Sequence, residues 1–216
     1  MTNTVGSFTK RQLEIIVGCI LGDGYLRQIA GRSDAFLEVN HSFKAKEYVD
    51  WKYQELKDFV KSAPKTRQQN KNDLKLAYRF FTQEHPQLTK LFNQFYANGK
   101  KIIPKNFSLT PLTLAVWYMD DGSKTKKGDV YLNCQQFDLK SQKRLLHSLR
   151  MLKIRARLNK DKRFYRIRIL KESQEKFFSI IKPFIQPSMK YKLLSFSDNP
   201  VETCQKSWQS PSNAKG

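Results

Sequence analysis

The chain has 216 residues, and its 40 lysine and arginine residues against 19 aspartate and glutamate residues give a formal net charge of +21. Such a charge favours a polyanion, nucleic acid above all, as the partner, although a ribosomal or generally basic protein would have the same composition. No uninterrupted apolar run reaches the ~18 residues that a membrane span needs, which argues against a membrane protein.

Cysteine usage and the first residues of the chain bear on the compartment. Cys19, Cys134 and Cys204 are widely spaced and fit neither a disulfide framework nor a zinc site. The segment from Met1 to Thr9 does not have the pattern of a signal peptide. We therefore expect no targeting peptide and an intracellular, reducing compartment, either an organelle matrix (mitochondrion or chloroplast) or the cytoplasm of a bacterium or archaeon.

The first predicted element is an apolar helix that closes with an acidic residue and a glycine. Thr9 and Gln12 have the spacing of a capping box, which predicts the start of the helix. Its last part is the sequence IVGCILGDG at residues 16–24, in which Asp23 precedes the glycine that predicts the helix end.

The remaining elements are predicted in the same order in both halves of the chain. Alternating apolar and polar residues predict half-buried antiparallel strands near 36–40 and 130–135. A helix, a second pair of strands with basic residues on one face, and another helix follow each of them. The order helix, two strands, helix, two strands, helix is thus predicted twice, and the polar residues from 197 onward are predicted to be disordered.

The helix that opens the second half repeats the motif of the first. Thr110 followed by Pro111 predicts its start, and it closes with the sequence MDDG at residues 119–122. Asp23 and Asp121 therefore occupy the same point of two apolar helices in a chain where carboxylates are scarce. A single Asp-Gly pair is usually a turn, but the matched pair predicts two metal-binding carboxylates on a basic protein, as cutting nucleic acid requires.

These segments resemble the LAGLIDADG homing endonucleases in the form that has two motifs in one chain. The resemblance covers roughly residues 12–193 and includes ILGD at 20–23, KIIP at 101–104, LTP at 109–111, MDDG at 119–122, LNCQ at 132–135, IKP at 181–183 and YKL at 191–193. One apolar run followed by Asp-Gly would be weak evidence, but two copies in register with these flanking segments are specific.

The resemblance implies an α+β fold with a pseudo-twofold repeat of αββαββα. The two motif helices would pack together at the centre, where Gly18 and Ala115 permit close approach. Two antiparallel sheets would form a saddle over the DNA major groove. The subdomains would span residues 1–104 and 105–196, followed by the polar tail at 197–216.

The resemblance also implies roles for residues near the motif ends. Asp23 and Asp121 would bind Mg²⁺, for which Mn²⁺ or Ca²⁺ could substitute in binding. Gly22 stands where an acidic residue is frequent in the family and Asp120 holds that place in the second motif, so both are secondary members of the metal set. The predicted catalytic side chains are completed by two lysines and two amides, Lys101, Lys192, Asn40 and Gln135.

Some of these assignments keep an alternative. Lys100 and Lys190 compete with the two chosen lysines, and each amide is as well suited to a base contact as to ordering water. The predicted DNA-contacting residues lie on the polar faces of the strands; they are Lys75, Arg79, Arg155, Arg157, Arg166, Arg168, Asn133 and Glu38. Each could read a base or contact only phosphate.

The function that we expect is site-specific double-strand cleavage of a long, non-palindromic DNA target by a monomer. The alternative is an RNA maturase on the same scaffold, with intron RNA as the partner. A maturase need not keep both catalytic carboxylates, and this chain keeps both, which favours the enzyme. A transcription factor on this scaffold is less well supported because no separate DNA-binding module is visible.

Overall fold

The computed structural model describes residues 6–68 and 76–193, and they form the predicted repeat. The first half contains α1 (Lys10–Leu21), β1 (Tyr25–Arg27), β2 (Phe36–Ser42), α2 (Lys46–Leu56), β3 (Lys65–Gln68), β4 (Leu76–Phe81), α3 (Pro86–Phe95), β5 (Tyr96–Ala97) and β6 (Lys100–Lys101). The second half contains α4 (Pro111–Asp121), β7 (Gly122–Lys124), β8 (Val130–Leu132), α5 (Leu139–Met151), β9 (Ala156–Asp161), β10 (Phe164–Ile169) and α6 (Lys171–Ile181).

The two halves build sheets with the same topology. The strand order is β1-β2-β4-β3 in the first sheet and β7-β8-β10-β9 in the second, and every pairing is antiparallel. This confirms the predicted α+β fold with two antiparallel sheets. Lys75 and the tail at 197–216 lie outside the described residues, and the subdomain boundary near residue 104 stays a prediction.

The motif helices begin as predicted, but the first ends earlier than expected. Thr9 and Gln12 form the capping box of α1, and Thr110 caps α4. Helix α4 ends at Asp121, directly before the predicted glycine. Helix α1 ends at Leu21 with Gly22 as its C-cap, so the prediction of Gly24 was wrong by two residues. Asp23 therefore follows the helix instead of ending it.

Two glycines let α1 and α4 cross closely at the centre of the molecule. A Cβ atom on Gly18 would lie 2.5 Å from the Cβ of Val116, and one on Gly22 would lie 2.4 Å from the Cβ of Asp120. Both distances are far shorter than real carbon–carbon contacts, so only glycine fits at these positions. The closeness brings the ends of the two helices, and hence both motif aspartates, to one place.

A short hairpin between the halves was not predicted. Strands β5 and β6 pair through a turn in which Asn98 has φ 50° and Gly99 has φ 72°. Asn-Gly is the usual sequence for such a two-residue turn because both residues tolerate positive φ. The hairpin places Lys101 directly beneath the end of α1, where it contacts Gly22 and Gly24.

The buried apolar side chains form one continuous core through both halves. The largest fully buried side chains include Trp117 and Tyr118 of α4 and Phe177 of α6. Cys19 and Cys134 are free thiols inside this core. Within residues 6–68 and 76–193, no helix combines the length and the apolar character needed to cross a bilayer.

Candidate active site

Asp23 and Asp121 both line a single cleft of about 510 Å³ between the sheets. Its walls are formed by residues at the ends of the motif helices and from the strands and loops beside them. The lining residues are Gly22, Asp23, Tyr25, Lys100, Lys101, Asp121, Asn133, Gln135 and Gln136. The structure therefore brings most of the predicted catalytic residues together.

Each aspartate is accompanied by one lysine in an equivalent position. Lys101 Nζ donates hydrogen bonds to the carbonyl oxygens of Gly22 (2.9 Å) and Gly24 (2.8 Å), the residues on either side of Asp23. Lys192 Nζ donates to the carbonyl oxygens of Asp120 and Gly122, both at 3.1 Å, which flank Asp121. These lysines satisfy carbonyls that a helix end leaves without partners.

This pattern favours the predicted lysines over their neighbours. Lys101 is only 8% exposed, and Lys192 is partly buried. Lys100 and Lys190 are both exposed, although Lys100 also borders the cleft. The two lysines lie in different local structures, because Lys101 belongs to the hairpin strand β6 and Lys192 ends a 3₁₀ helix at Pro187–Lys192.

Burial and charge crowding shift the proton affinities in the cleft. Burial, helped by the nearby charges of Asp23 and Asp120, raises the pKa of Asp121 to about 7. Burial lowers the pKa of Lys101 to about 8, against the attraction of the aspartates. The pKa of Lys192 is also lowered by burial. Negative charge at Asp121 is thus destabilised without a cation, and Lys101 holds its proton less firmly than a free lysine does.

Asp23 has a different environment from Asp121. His41 Nδ1 lies 3.3 Å from Asp23 Oδ2, and a hydrogen bond from His41 lowers the pKa of Asp23 despite its partial burial. The sequence reading missed His41, because a lone histidine after Asn40 gives no ligand spacing. Its contact with Asp23 arises only because the fold places β2 beside the end of α1.

Asp120 is not among the residues that line the cleft, and its place in the metal set stays a prediction. Its side chain is completely buried, and Oδ1 lies 2.7 Å from Lys52 Nζ and accepts a hydrogen bond of 2.8 Å from the Tyr48 hydroxyl. Burial opposes the charge on Lys52, but Asp120 leads the contacts that raise the pKa of Lys52 above its usual value. The carboxylate of Asp120 thus has a cationic partner in Lys52, and it also lies close enough to Asp23 and His41 for the three to share an ion.

Strand pairing defines which residues correspond in the two halves. Tyr25, two residues after Asp23, pairs with Glu38, and Ser123, two residues after Asp121, pairs with Tyr131. The offset between corresponding positions of β2 and β8 is therefore 93 residues, which is 131 minus 38.

This offset changes the pairing of the amides. Asn40 corresponds to Asn133, and Gln135 corresponds to Ser42. Asn133 and Gln135 both line the cleft beside Asp121, so Asn133, which we had expected only to contact DNA, is placed equally well to act at the site. Gln136, which the sequence did not single out, donates to the carbonyl of Leu21 at 2.8 Å.

Comparison with known proteins decides the family. The LAGLIDADG DNA endonuclease family matches residues 13–177 of the chain. The chain belongs to this family. A probable intron-encoded endonuclease 1 of Wickerhamomyces canadensis is 34% identical over 203 residues, which cover 87% of this chain and 86% of that protein. The cytochrome b mRNA maturase bI2 of Debaryomyces hansenii is 30% identical, covering 85% of this chain and 74% of the maturase.

A solved structure supports the same conclusion. The homing endonuclease I-WcaI, bound to its DNA recognition sequence, superposes with a TM-score of 0.79 and 30% identity, and the match covers 88% of both chains. Fold, family and relatives agree that the chain is a homing endonuclease of the LAGLIDADG family that acts on DNA, as the sequence predicted.

The first sheet of the endonuclease carries basic and aromatic side chains on one face. Register places Arg79 and Lys65 on the same face as Asn40 and Glu38. Glu38 lies between two arginines, with its carboxylate 2.6 Å from Arg27 and 3.7 Å from Arg79. The buried carboxylate of Glu38 therefore pairs with two guanidinium groups and holds them in place. The sequence reading missed Arg27 and Lys65, which share this face.

On the second sheet, predicted arginines are held by neighbours. The Arg166 guanidinium lies over the Tyr131 ring at 4.4 Å, and Arg168 pairs with Asp129 at 2.7 Å. Arg157 is exposed opposite Arg168 on β9.

Arg155 lies at the edge of this face, directly before β9. Its carbonyl accepts a hydrogen bond from the Leu170 amide at 3.0 Å, which continues the pairing with β10. Its side chain lies 3.3 Å from Glu172 of α6. The predicted DNA contact of Arg155 stays a prediction.

Proposed function

We propose that this endonuclease makes a site-specific double-strand break, as a monomer, in a long non-palindromic DNA target, with Mg²⁺ as the cofactor. The observation that carries the proposal is the repeated arrangement at the helix ends. Asp23 and Asp121 line one cleft, and each is flanked by carbonyls that accept hydrogen bonds from one lysine. Two equivalent sets of catalytic groups suit the cutting of two strands.

The donor set of the cleft fits a hard divalent cation. Its acidic groups are carboxylates, and burial, together with the charges of Asp23 and Asp120, raises the pKa of Asp121, so a bound cation would stabilise its ionised form. Mg²⁺ prefers oxygen ligands from one or two carboxylates, phosphate and water. Asp23 and Asp121 would hold the ion, and the bound ion would supply Lewis-acid stabilisation of phosphate oxygens.

The protein groups supply positioning and charge. Lys101 and Lys192 place ammonium groups beside the aspartates, where they can stabilise negative charge that develops on the phosphate during attack by water. The lowered pKa of Lys101, about 8 because of burial, also lets a fraction of this lysine accept a proton. The amides of Asn133 and Gln135 lie in the cleft wall and can orient water.

The difference between the two sheets supports a non-palindromic target. The first sheet presents Arg79 with Glu38 beside it, whereas the second presents Arg166 over Tyr131. Symmetric DNA sites mirror symmetric protein readers. Two unlike readers held rigidly by one helix pair would therefore select two unlike half-sites.

In vitro selection tests this proposal directly. The purified protein would be incubated with a randomised DNA library and Mg²⁺, and the cut ends would be sequenced. We expect one long asymmetric consensus with cuts in both strands, and no cutting in the presence of a chelator. Unchanged cutting with the chelator would contradict the metal assignment, and a palindromic consensus would contradict the two-reader assignment.

Similarity to a maturase favours a second candidate function, assistance of intron RNA splicing. The relative from Debaryomyces hansenii covers most of this chain. A competition experiment between target DNA and intron RNA distinguishes RNA binding on the DNA-binding saddle from RNA binding elsewhere on the protein. If the target DNA displaces structured intron RNA from the Asp121→Asn variant, the two nucleic acids share the saddle. If both bind together, a separate RNA surface exists.

A further inference from the structure

A completely buried lysine lies behind the first aspartate of the cleft. Lys52 of α2 has 0% exposure and a fully buried carboxylate partner, Asp120, at 2.7 Å. The Tyr48 ring lies under the ammonium at 4.4 Å. An uncompensated buried charge is costly, so these partners must stay together in the folded protein. The proposed catalytic roles do not use this pair.

The pair belongs to a closed ring of contacts that begins and ends at Asp23. Asp120 Oδ2 accepts a hydrogen bond from the Asp23 amide at 3.3 Å, while Asp120 Oδ1 contacts Lys52. Lys52 Nζ lies 3.0 Å from His41 Nε2, and His41 Nδ1 lies 3.3 Å from Asp23 Oδ2. The bond to Asp120 therefore holds the backbone of Asp23, and the contact with His41 holds its side chain.

The ring determines the tautomer of His41. An ammonium group donates hydrogen bonds and has no lone pair to accept one, so His41 Nε2 must be the acceptor. In the neutral imidazole the proton then lies on Nδ1, which faces Asp23. Lys52 thus forces His41 to donate to the carboxylate of Asp23.

The described part of the second half, up to residue 193, contains no such ring. The offset of 93 residues derived from strand pairing makes Cys134 the counterpart of His41. The same offset relates the buried positions of α2 to those of α5, so Leu145 replaces Lys52 and Ser141 replaces Tyr48. At the helix crossing, Gly22 stands opposite Asp120. Three members of the ring, Lys52, His41 and Asp120, are thus replaced together with the adjacent Tyr48, whereas Asp23 corresponds to Asp121.

A metal ion is a poor occupant for this cluster. Asp23, His41 and Asp120 approach one another closely enough to share an ion. However, the Lys52 ammonium already contacts Asp120 and His41, and a second cation between the same groups would be repelled by it. The ammonium takes the place that a cation would have.

We propose that Lys52, Asp120 and His41 are positioning residues that orient Asp23, and that they make the two catalytic sets of the cleft unequal. This inference rests on the proposed roles of Asp23 and Asp121. Loss of the ring should impair the cutting of one DNA strand much more than the other. The expected defect is accumulation of nicked DNA in which one and the same strand is cut.

The test measures strand-specific rates on a target labelled at both ends. His41→Ala should slow one strand by about tenfold or more, the size expected when a catalytic group loses its orientation. His41→Asn should recover part of this rate, because its amide nitrogen branches from Cγ as Nδ1 does. Cys134→Ala, the matched change in the second half, should leave both rates at the wild-type level.

A second variant removes the ring without leaving a buried charge alone. In Lys52→Met/Asp120→Asn both partners become neutral with similar size, so the core should remain folded. We expect wild-type DNA affinity and the same strand bias as in His41→Ala. Equal slowing of both strands, or wild-type rates in a folded double variant, would overturn the proposal.

A measurement on the metal-free protein gives a readout that is independent of cutting. The ¹⁵N resonances of the His41 ring should show the Nδ1–H tautomer in the wild type and its loss in Lys52→Met/Asp120→Asn. The Nε2–H tautomer in the wild type would overturn the proposal. If Asp23→Asn still cuts both strands, the proposed function itself has failed; if Asp23→Asn is inactive and the ring variants cut normally, only the positioning role has failed.

Discussion

The position of Lys192 at the end of α4 is equivalent to that of Lys101 at the end of α1. Each ammonium donates to the carbonyls on both sides of a motif aspartate, Asp23 for Lys101 and Asp121 for Lys192. The two lysines reach these positions from unrelated local structures, a hairpin and a 3₁₀ turn. This repeated contact supports the proposal that the two lysines have the same role in the two catalytic sets.

Replacement of either lysine should separate cutting from binding. Lys101→Met or Lys192→Met removes one positive charge from the site of the developing phosphate charge, so cleavage should fall by about 10²-fold or more. Affinity for the target should change little, because the chain keeps 39 of its 40 lysine and arginine residues. Lys100→Met, an exposed neighbour, is the matched control. Comparable losses in the control would contradict the assignment.

The metal-free protein should gain stability when Asp121 is made neutral. Burial raises the pKa of Asp121 to about 7, so the folded state holds this proton up to a higher pH than the unfolded state does. Stability is then lost as pH rises from ~4, the unfolded pKa, through the folded value. Asp121→Asn should remove this loss and stabilise the protein above neutrality by ~1–3 kcal/mol, allowing for partial screening by water.

Thermal unfolding in a chelator checks this at several pH values. The wild type should lose stability between mildly acidic and neutral pH relative to Asp121→Asn. Addition of Mg²⁺ should stabilise the wild type and leave the variant nearly unchanged. Parallel curves for the two proteins would show that the Asp121 proton is not linked to folding.

The net charge predicts steep salt dependence of DNA binding. With a charge of +21 and basic faces on both sheets, release of counterions should dominate affinity. If six or more phosphates are contacted, affinity should fall ~10³-fold or more between about 50 and 200 mM salt. Binding titrations over this range measure the slope, and a nearly flat response would argue against the saddle as the DNA surface.

Each sheet should read only its own half-site. If Arg166 contacts a guanine through two hydrogen bonds, Arg166→Ala should cost ~1–3 kcal/mol at one base position. If it contacts phosphate, affinity should fall evenly for all sequences, with a shallower salt slope. Arg79→Ala is the matched change in the first sheet. Profiles on single-base-substituted targets separate these cases, and a loss of specificity spread over both half-sites would contradict independent readers.

The sequence was sufficient for the architecture because its signals are local. Capping residues gave the starts of α1 and α4, and period-two alternation gave the central strands. The difference between the two halves of the site could not be predicted from the sequence. Asp120 and Asp121 are adjacent in the sequence, and no local signal indicates that Asp120 packs against Gly22 and pairs with Lys52 of the first half. His41 and Lys52 likewise could not be identified from the sequence, because their contacts with Asp23 and Asp120 join separate elements of the fold.

Register explains the remaining differences. A shift of two residues along a strand keeps the same face, so the sequence pattern could not distinguish Asn133 from Gln135 as the counterpart of Asn40. Strand pairing with β7 makes that choice. Arg155 shares the alternation of Arg157, but the strand begins after it, and its pairing with Glu172 is a tertiary contact.

The most direct test of the central claim is cleavage by Asp23→Asn and Asp121→Asn on the selected target with Mg²⁺. The account predicts that neither variant makes double-strand breaks, while both bind the target with affinity close to that of the wild type. Asp58→Asn, which changes an exposed aspartate outside the cleft, should cut normally. Double-strand cleavage at a near-normal rate by either motif variant would contradict the account.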